Sequence, residues 1–119
     1  MSALKFFSIY CVVGLFMLSL STACYSAEKW GTCTVQDVMV WDKARLHIRC
    51  ATAVDGYTFF AVPWSNTEFL SQALSIASAA IAYNKTIDVV YNPSDTTSGP
   101  TFNCDSIDCR PLIAIKINR

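Results

Sequence analysis

Imidazole is scarce in this chain: His47 is its only histidine. It has no G-x-S-x-G nucleophile elbow, no C-x-x-C pair and, with four glycines in all, no phosphate-cradling loop. Excess charge is lacking as well. Nine Lys and Arg face nine Asp and Glu, and charged residues make up 15% of the chain. A neutral balance removes the basic footprint that nucleic-acid binding needs. No second long apolar run follows the first twenty residues. These absences predict a non-enzymatic chain with no cofactor, no metal site, no nucleic-acid partner and no membrane span once its first segment is removed.

What is present begins at the first residues, "MSALKFFSIYCVVGLFMLSLSTACYSAEKW". Lys5 precedes an uncharged apolar run from Phe6 to about Leu20, followed by small residues. That is the layout of a secretory signal peptide, and the run is short for a membrane span. Residues 1–27 are therefore predicted as signal, cut after Ala23 or after Ala27, and 28–119 as one small domain. "LSTAC" also resembles a lipoprotein box, in which Cys24 would carry lipid. Without Lys5, eight cations face nine acids, so the product stays near neutral and is secreted or periplasmic.

Export decides how the cysteines are read. Cys11 leaves with the signal and Cys24 sits at its end, which leaves Cys33, Cys50, Cys104 and Cys109. Four cysteines in a small exported domain imply two disulfides. "NCDSIDCRP" lacks the second close pair that a zinc site needs and the C-x-x-C of a redox site, so Cys104–Cys109 is read as a staple. "CTVQDVMVW" and "ARLHIRC" read as a hairpin turning through "WDKA". Facing residues of a hairpin share a constant index sum, and this one sets Cys33 opposite Cys50. The same register puts Asp37 opposite Leu46 on the apolar side, a conflict that a bulge near the turn would relieve.

The second strand alternates Leu46, Ile48 and Cys50 with Arg45, His47 and Arg49. Asp55-Gly56 is a turn signal, and an aromatic strand over 57–62 ends at Pro63. "SNTEFLSQALSIASAAIAYNK" is the one strong helix. Ser65 and Glu68 stand at capping-box spacing, and Phe69, Leu70, Ala73, Leu74, Ala77, Ala80 and Ile81 form the core face. The opposite face carries Ser71, Ser75, Ser78, Ala79 and Ala82, small and uncharged, which suits close approach of another helix in a homo-oligomer. "TIDVVY" and "LIAIKI" are the last strands, around a Pro-, Gly-, Ser- and Asp-rich loop. Three strands, a helix and two strands make the fold mainly β with one helix. A small five-stranded OB-like barrel, disulfide-stapled, is expected, with a plain antiparallel sheet under the helix as the alternative.

The stripe Arg45, His47, Arg49 is the leading ligand-binding candidate. Two guanidinium forks suit a carboxylate or phosphate, and Trp41 and Trp64 could stack on a sugar ring. The plain alternative is an ordinary polar strand face. Asp105 and Asp108 lie in the cystine loop, where turn capping is the simpler role for them. The signal segment, the strand–helix–strand order, "PWSNTEFLSQALSIASAAIAYNKTIDVVY" and the closing "LIAIKI" resemble the B subunits of AB5 toxins, in the pertussis, typhoid and subtilase-cytotoxin branch. The resemblance covers about half of the mature domain. It implies a bacterial chain, an OB fold and a ring of subunits with helices lining a pore. It also implies a glycan or host surface component as ligand and a catalytic A subunit as partner. That branch's sugar-binding residues find no match here, and the cysteine pair precedes the last strand instead of ending the chain.

Overall fold

A computed structural model describes residues 28–119. The segment read as a signal, with its cleavage sites, Cys11 and Cys24, lies outside the described residues. In chain order the elements are β1 (Lys29–Cys33), β2 (Val35–Trp41), β3 (Arg45–Val54), β4 (Tyr57–Pro63), α1 (Thr67–Ala82), β5 (Ile87–Tyr91), a 3-10 turn (Gly99–Phe102) and β6 (Cys109–Ile117). The strands make one sheet in the order β1-β5-β6-β4-β3-β2. Every neighbouring pair is antiparallel except β4 with β6.

The alternation predicted for β3 is what divides the two faces of the sheet. Leu46, Ile48 and Cys50 are buried, as are Phe60 and Val62 across from them on β4. β3 and β4 are joined by Asp55 and Gly56 alone, both at positive φ (56° and 89°). A two-residue connection that follows strand twist needs that conformation twice, and the second position is cheapest for glycine. Over the inner face lies α1, whose Ala73, Ala77 and Ala80 are buried with Leu70. Alanines bring the helix axis close to the sheet, where Ile87, Val89, Tyr91 and Leu112 complete the core.

Several expectations are corrected. Six strands form, not five, because the run read as one strand over 33–41 bends at Thr34. Cys33 ends β1, facing Ile87 of β5, while Val35 begins β2 at the opposite end of the sheet order. Cys33 still bonds Cys50 (Cα–Cα 5.4 Å), but across β1 and β3 and not within the hairpin. The hairpin pairs Trp41 with Arg45 and Asp37 with Arg49, and its bulge falls between Val35 and Asp37, far from the turn. This register removes the conflict at Asp37, whose carboxylate now meets a guanidinium instead of the core. β6 also starts earlier than expected, at Cys109, and its first residues, Pro111 among them, pair in parallel with β4.

The helix start differs too. Asn66 is the N-cap without a side-chain cap bond, and the Ser65–Glu68 box does not form. Instead Thr67 Oγ1 donates to the Trp64 carbonyl at 2.8 Å, holding the turn that leads into α1. Ile81 shares the angular position of Ala77 but lies in the last turn and is exposed. Ile115 packs on the core as expected of its face, whereas Ile113 and Ile117 are partly open.

Candidate functional site

The outer face of β2, β3 and β4 carries the predicted stripe in three cross-strand rows. Trp41, Arg45 and Pro63 form the first; Met39, His47 and Ala61 the second; Asp37, Arg49 and Phe59 the third. Arg45 lays its guanidinium 3.9 Å from the centre of the Trp41 ring and donates from Nε to His47 Nε2 at 3.1 Å. His47 stands between Trp41 and Phe59, with ring centres 5.2 and 5.5 Å away. Burial among those rings, and then the Arg45 charge, push its pKa down to about 4. At neutral pH it is therefore an uncharged imidazole with Nε2 as acceptor.

Arg49 is taken out of the stripe by its neighbour. Its Nε and Nη2 both donate to Asp37 Oδ2, at 3.0 and 2.6 Å. Of the two forks expected to grip an anion, only Arg45 has no carboxylate partner among the described residues. Trp64 stands apart from Trp41. It lines a groove of about 520 Å³ together with Lys43, Ser65, Ser98, Thr101 and Phe102. The groove adjoins the first row through Pro63, the facing residue of Arg45, and through the Trp64 amide, which donates to the Ala44 carbonyl at 2.9 Å.

One wall of that groove belongs to the loop after β5, which is fixed in place. Asp95 Oδ1 accepts from the amides of Thr97 and Ser98, and Thr101 Oγ1 donates to the Ser98 carbonyl at 2.6 Å. The Cys104–Cys109 disulfide (Cα–Cα 5.2 Å) packs with Ala61, Phe59 and Phe102 as a second small core on the outer face. Beneath the loop Arg110 is 4% exposed. It donates to the carbonyls of Pro93, Ser106 and Cys109 and to the Tyr57 hydroxyl. Asp105 caps a turn, its Oδ1 accepting from the Ile107 amide at 2.7 Å, and Asp108 lends its main-chain carbonyl to the Thr58 and Phe59 amides.

Sequence reasoning placed Arg45, His47 and Arg49 on one face with Trp41 and Trp64 near it. Trp41 pairs with Arg45 on that face and Trp64 lines the groove instead, while Lys43, Ser65, Ser98, Thr101 and Phe102 were missed. A positive-φ Lys43 at a hairpin tip and a loop folded back over β4 leave no periodic signal. Ser71, Ser75, Ser78 and Ala82 are exposed on α1 and Ala79 is half-buried, so the small-residue face points away from the sheet. Among the described residues no group of three or more His, Cys, Asp or Glu side chains is placed to hold a metal. No described helix is long and apolar enough to cross a membrane. The groove offers an aromatic plane, three hydroxyls and one ammonium. No protein-family model, curated protein or solved structure matches this chain.

Proposed function

We propose that this chain is an exported binding module, not an enzyme, and that it holds a glycan in the groove beside Trp64. The observation that carries this reading is the lining itself. Trp64 is 39% exposed, with the hydroxyls of Ser65, Ser98 and Thr101 and the Lys43 ammonium around it. A sugar ring pairs an apolar face of C–H groups with a rim of hydroxyls. A partly open indole next to short polar side chains answers both parts. Arg45, next along the sheet, supplies a guanidinium for an acidic substituent.

Export is supported by the two disulfides, which fit an oxidising, extracytoplasmic compartment. An OB-like barrel is supported by the strand order. β1 and β2 are consecutive in the chain yet stand at opposite ends of the sheet, with Cys33–Cys50 joining β1 to β3. The resemblance to AB5 B subunits extends the reading to a ring of copies that docks a catalytic A subunit. Analytical ultracentrifugation tests the ring. A glycan array followed by calorimetry tests the groove: Trp64→Ala should lower affinity at least tenfold, about 1.4 kcal/mol. An empty array with the disulfides intact would remove the glycan.

A second reading has its own support. Ile107 is 78% exposed at the tip of the Cys104–Cys109 loop. A rigid loop with an apolar tip suits a monomeric protein-interaction or inhibitor module. In that case Ile107→Asp would abolish capture of a specific protein while added sugars would not.

A further inference from the structure

Arg45 and His47 share a contact that only one protonation state allows. Arg45 Nε donates to His47 Nε2 at 3.1 Å, so that ring nitrogen must be bare. Neither side chain is free to turn away. The guanidinium lies over the Trp41 ring, and the imidazole is held between Trp41 and Phe59. A proton on Nε2 would turn the acceptor into a donor. Two N–H groups, each on a cation, would then face one another across the same 3.1 Å. Like charges in contact on a half-buried face repel strongly unless a negative group joins them.

The surrounding strands supply no such group. Asp37, the one carboxylate of β2, accepts both Nε and Nη2 of Arg49. From β4 the facing residues are Phe59, Ala61 and Pro63, and Met39 and Trp41 complete the rows on β2, none of them charged. Asp42 and Lys43, in the turn beyond Trp41, make no ion pair among the described residues. Met39 and Trp41 are exposed, so the pair is within reach of ions in solution.

We propose that Arg45 and His47 form a site that takes up an oxyanion together with a proton, one anion oxygen accepting from Arg45 Nε and from His47 Nε2. The anion brings the missing acceptor and the missing negative charge, and a sulfate, phosphate or carboxylate group has both. Burial and then the Arg45 charge hold the imidazole down to about 4, and an anion on Arg45 cancels the second of these causes. Reciprocity requires that the anion draw the proton in and that acid draw the anion in. This site rests on the reading above only in taking Arg45 as the partner of an acidic group, and its chemistry does not need the Trp64 groove.

Because His47 is the only histidine, its NMR titration reports the pair without overlap. Inorganic sulfate, in a buffer free of carboxylate and phosphate, is the probe. It should raise the His47 midpoint by about one pH unit beyond sodium chloride of equal ionic strength. By linkage, sulfate should then bind about fivefold tighter at pH 4 than at pH 7. Arg45→Gln should abolish the sulfate effect while the ring still titrates. Glucose 6-sulfate separates a free oxyanion from the acidic group of a sugar. With the sugar as source it should act at lower concentration than sulfate, and Trp64→Ala should cancel that advantage alone. Equal potency would keep the oxyanion site and detach it from the groove. A midpoint that sulfate moves no further than chloride, a shift that survives Arg45→Gln, or equal sulfate affinity at pH 4 and pH 7 would each overturn the proposal. The first and last use the unaltered chain and hold if Arg45→Gln does not fold, and none of the three bears on a glycan at Trp64.

Discussion

The Arg110 guanidinium lies 4.2 Å from the centre of the Tyr57 ring, and its Nη2 donates to the hydroxyl of that same tyrosine at 3.2 Å. One side chain thereby ties β6 to β4. Its remaining bonds run to three carbonyls, those of Pro93, Ser106 and Cys109. The loop wall of the groove rests on this clamp.

Removing the clamp should be costly. Arg110→Ala would leave buried carbonyls without donors and open a cavity under the loop, a loss of about 3 kcal/mol. Arg110→Lys keeps the charge but cannot fork, and should recover only part of that. Chemical denaturation measures the loss. Hydrogen exchange should localise the first opening to residues 92–108, not to β3.

The two disulfides should contribute unequally. Cys33–Cys50 closes 17 residues and Cys104–Cys109 closes five. Loop-closure entropy then gives about 3 kcal/mol for the first and about 2 for the second. Cys33→Ala with Cys50→Ala should lower Tm by about 10 to 20 °C. Cys104→Ala with Cys109→Ala should cost less Tm but more ligand affinity, since that pair packs against Phe102 in the groove wall. Scanning calorimetry and ligand titration on both double variants separate the two effects.

Much of this fold can be read along the chain, for physical reasons that differ by element. Alternation over Arg45–Cys50 identifies β3 and both of its faces, because a strand in a one-sided sheet must repeat every two residues. Asp55-Gly56 marks its turn, since few pairs accept positive φ twice. Thr34 shows where reading fails. Its neighbours Cys33 and Val35 both look like strand, and nothing local says that they belong to opposite ends of the sheet. The site is legible in the same measure. A strand pattern finds Arg45 and His47 but not the loop that brings Ser98 and Thr101 beside Trp64. Nor does it find Arg110, a cation that belongs on the surface until its carbonyl partners are known.

Close passage of β1 over β3 depends on a missing side chain. A Cβ at Gly31 would lie 2.3 Å from Val54 Cγ1, so any larger residue must move either Val54 or the strand. Gly31→Ala should destabilise by about 1 to 3 kcal/mol. Val54→Ala added to it should return part of that loss. A double-mutant cycle by urea unfolding reads the coupling, expected at about 1 kcal/mol in the favourable direction. Additive losses would mean that β1 does not press on Val54 in solution.

Acid should act on His47 before it acts on the carboxylates. The folded imidazole holds its proton only below about pH 4, whereas the ordinary value is 6.5. Between those two limits the unfolded chain takes up a proton that the folded chain refuses, so stability falls as pH drops from 6.5 toward 4. Below that both states are protonated and the loss levels off. After solvent screening the loss is on the order of 2 kcal/mol. Asp55, Asp88 and Asp95 act in the same direction but in a more acid window. The Lys29 hydrogen bond to Asp55, the Asn118 bond to Asp88 and the Ser98 bond to Asp95 hold these carboxyls below 3.8, so what they add is present above that value and disappears only beneath it. Urea titrations from pH 7 to 4 should therefore show one downward step, and His47→Gln, which keeps an acceptor for Arg45, should flatten it. Arg45→Gln should move the step's lower limit upward, because the neighbouring positive charge is the second cause of the depressed imidazole. A step that persists unchanged in His47→Gln would assign it to another group and remove the half-buried imidazole as its source.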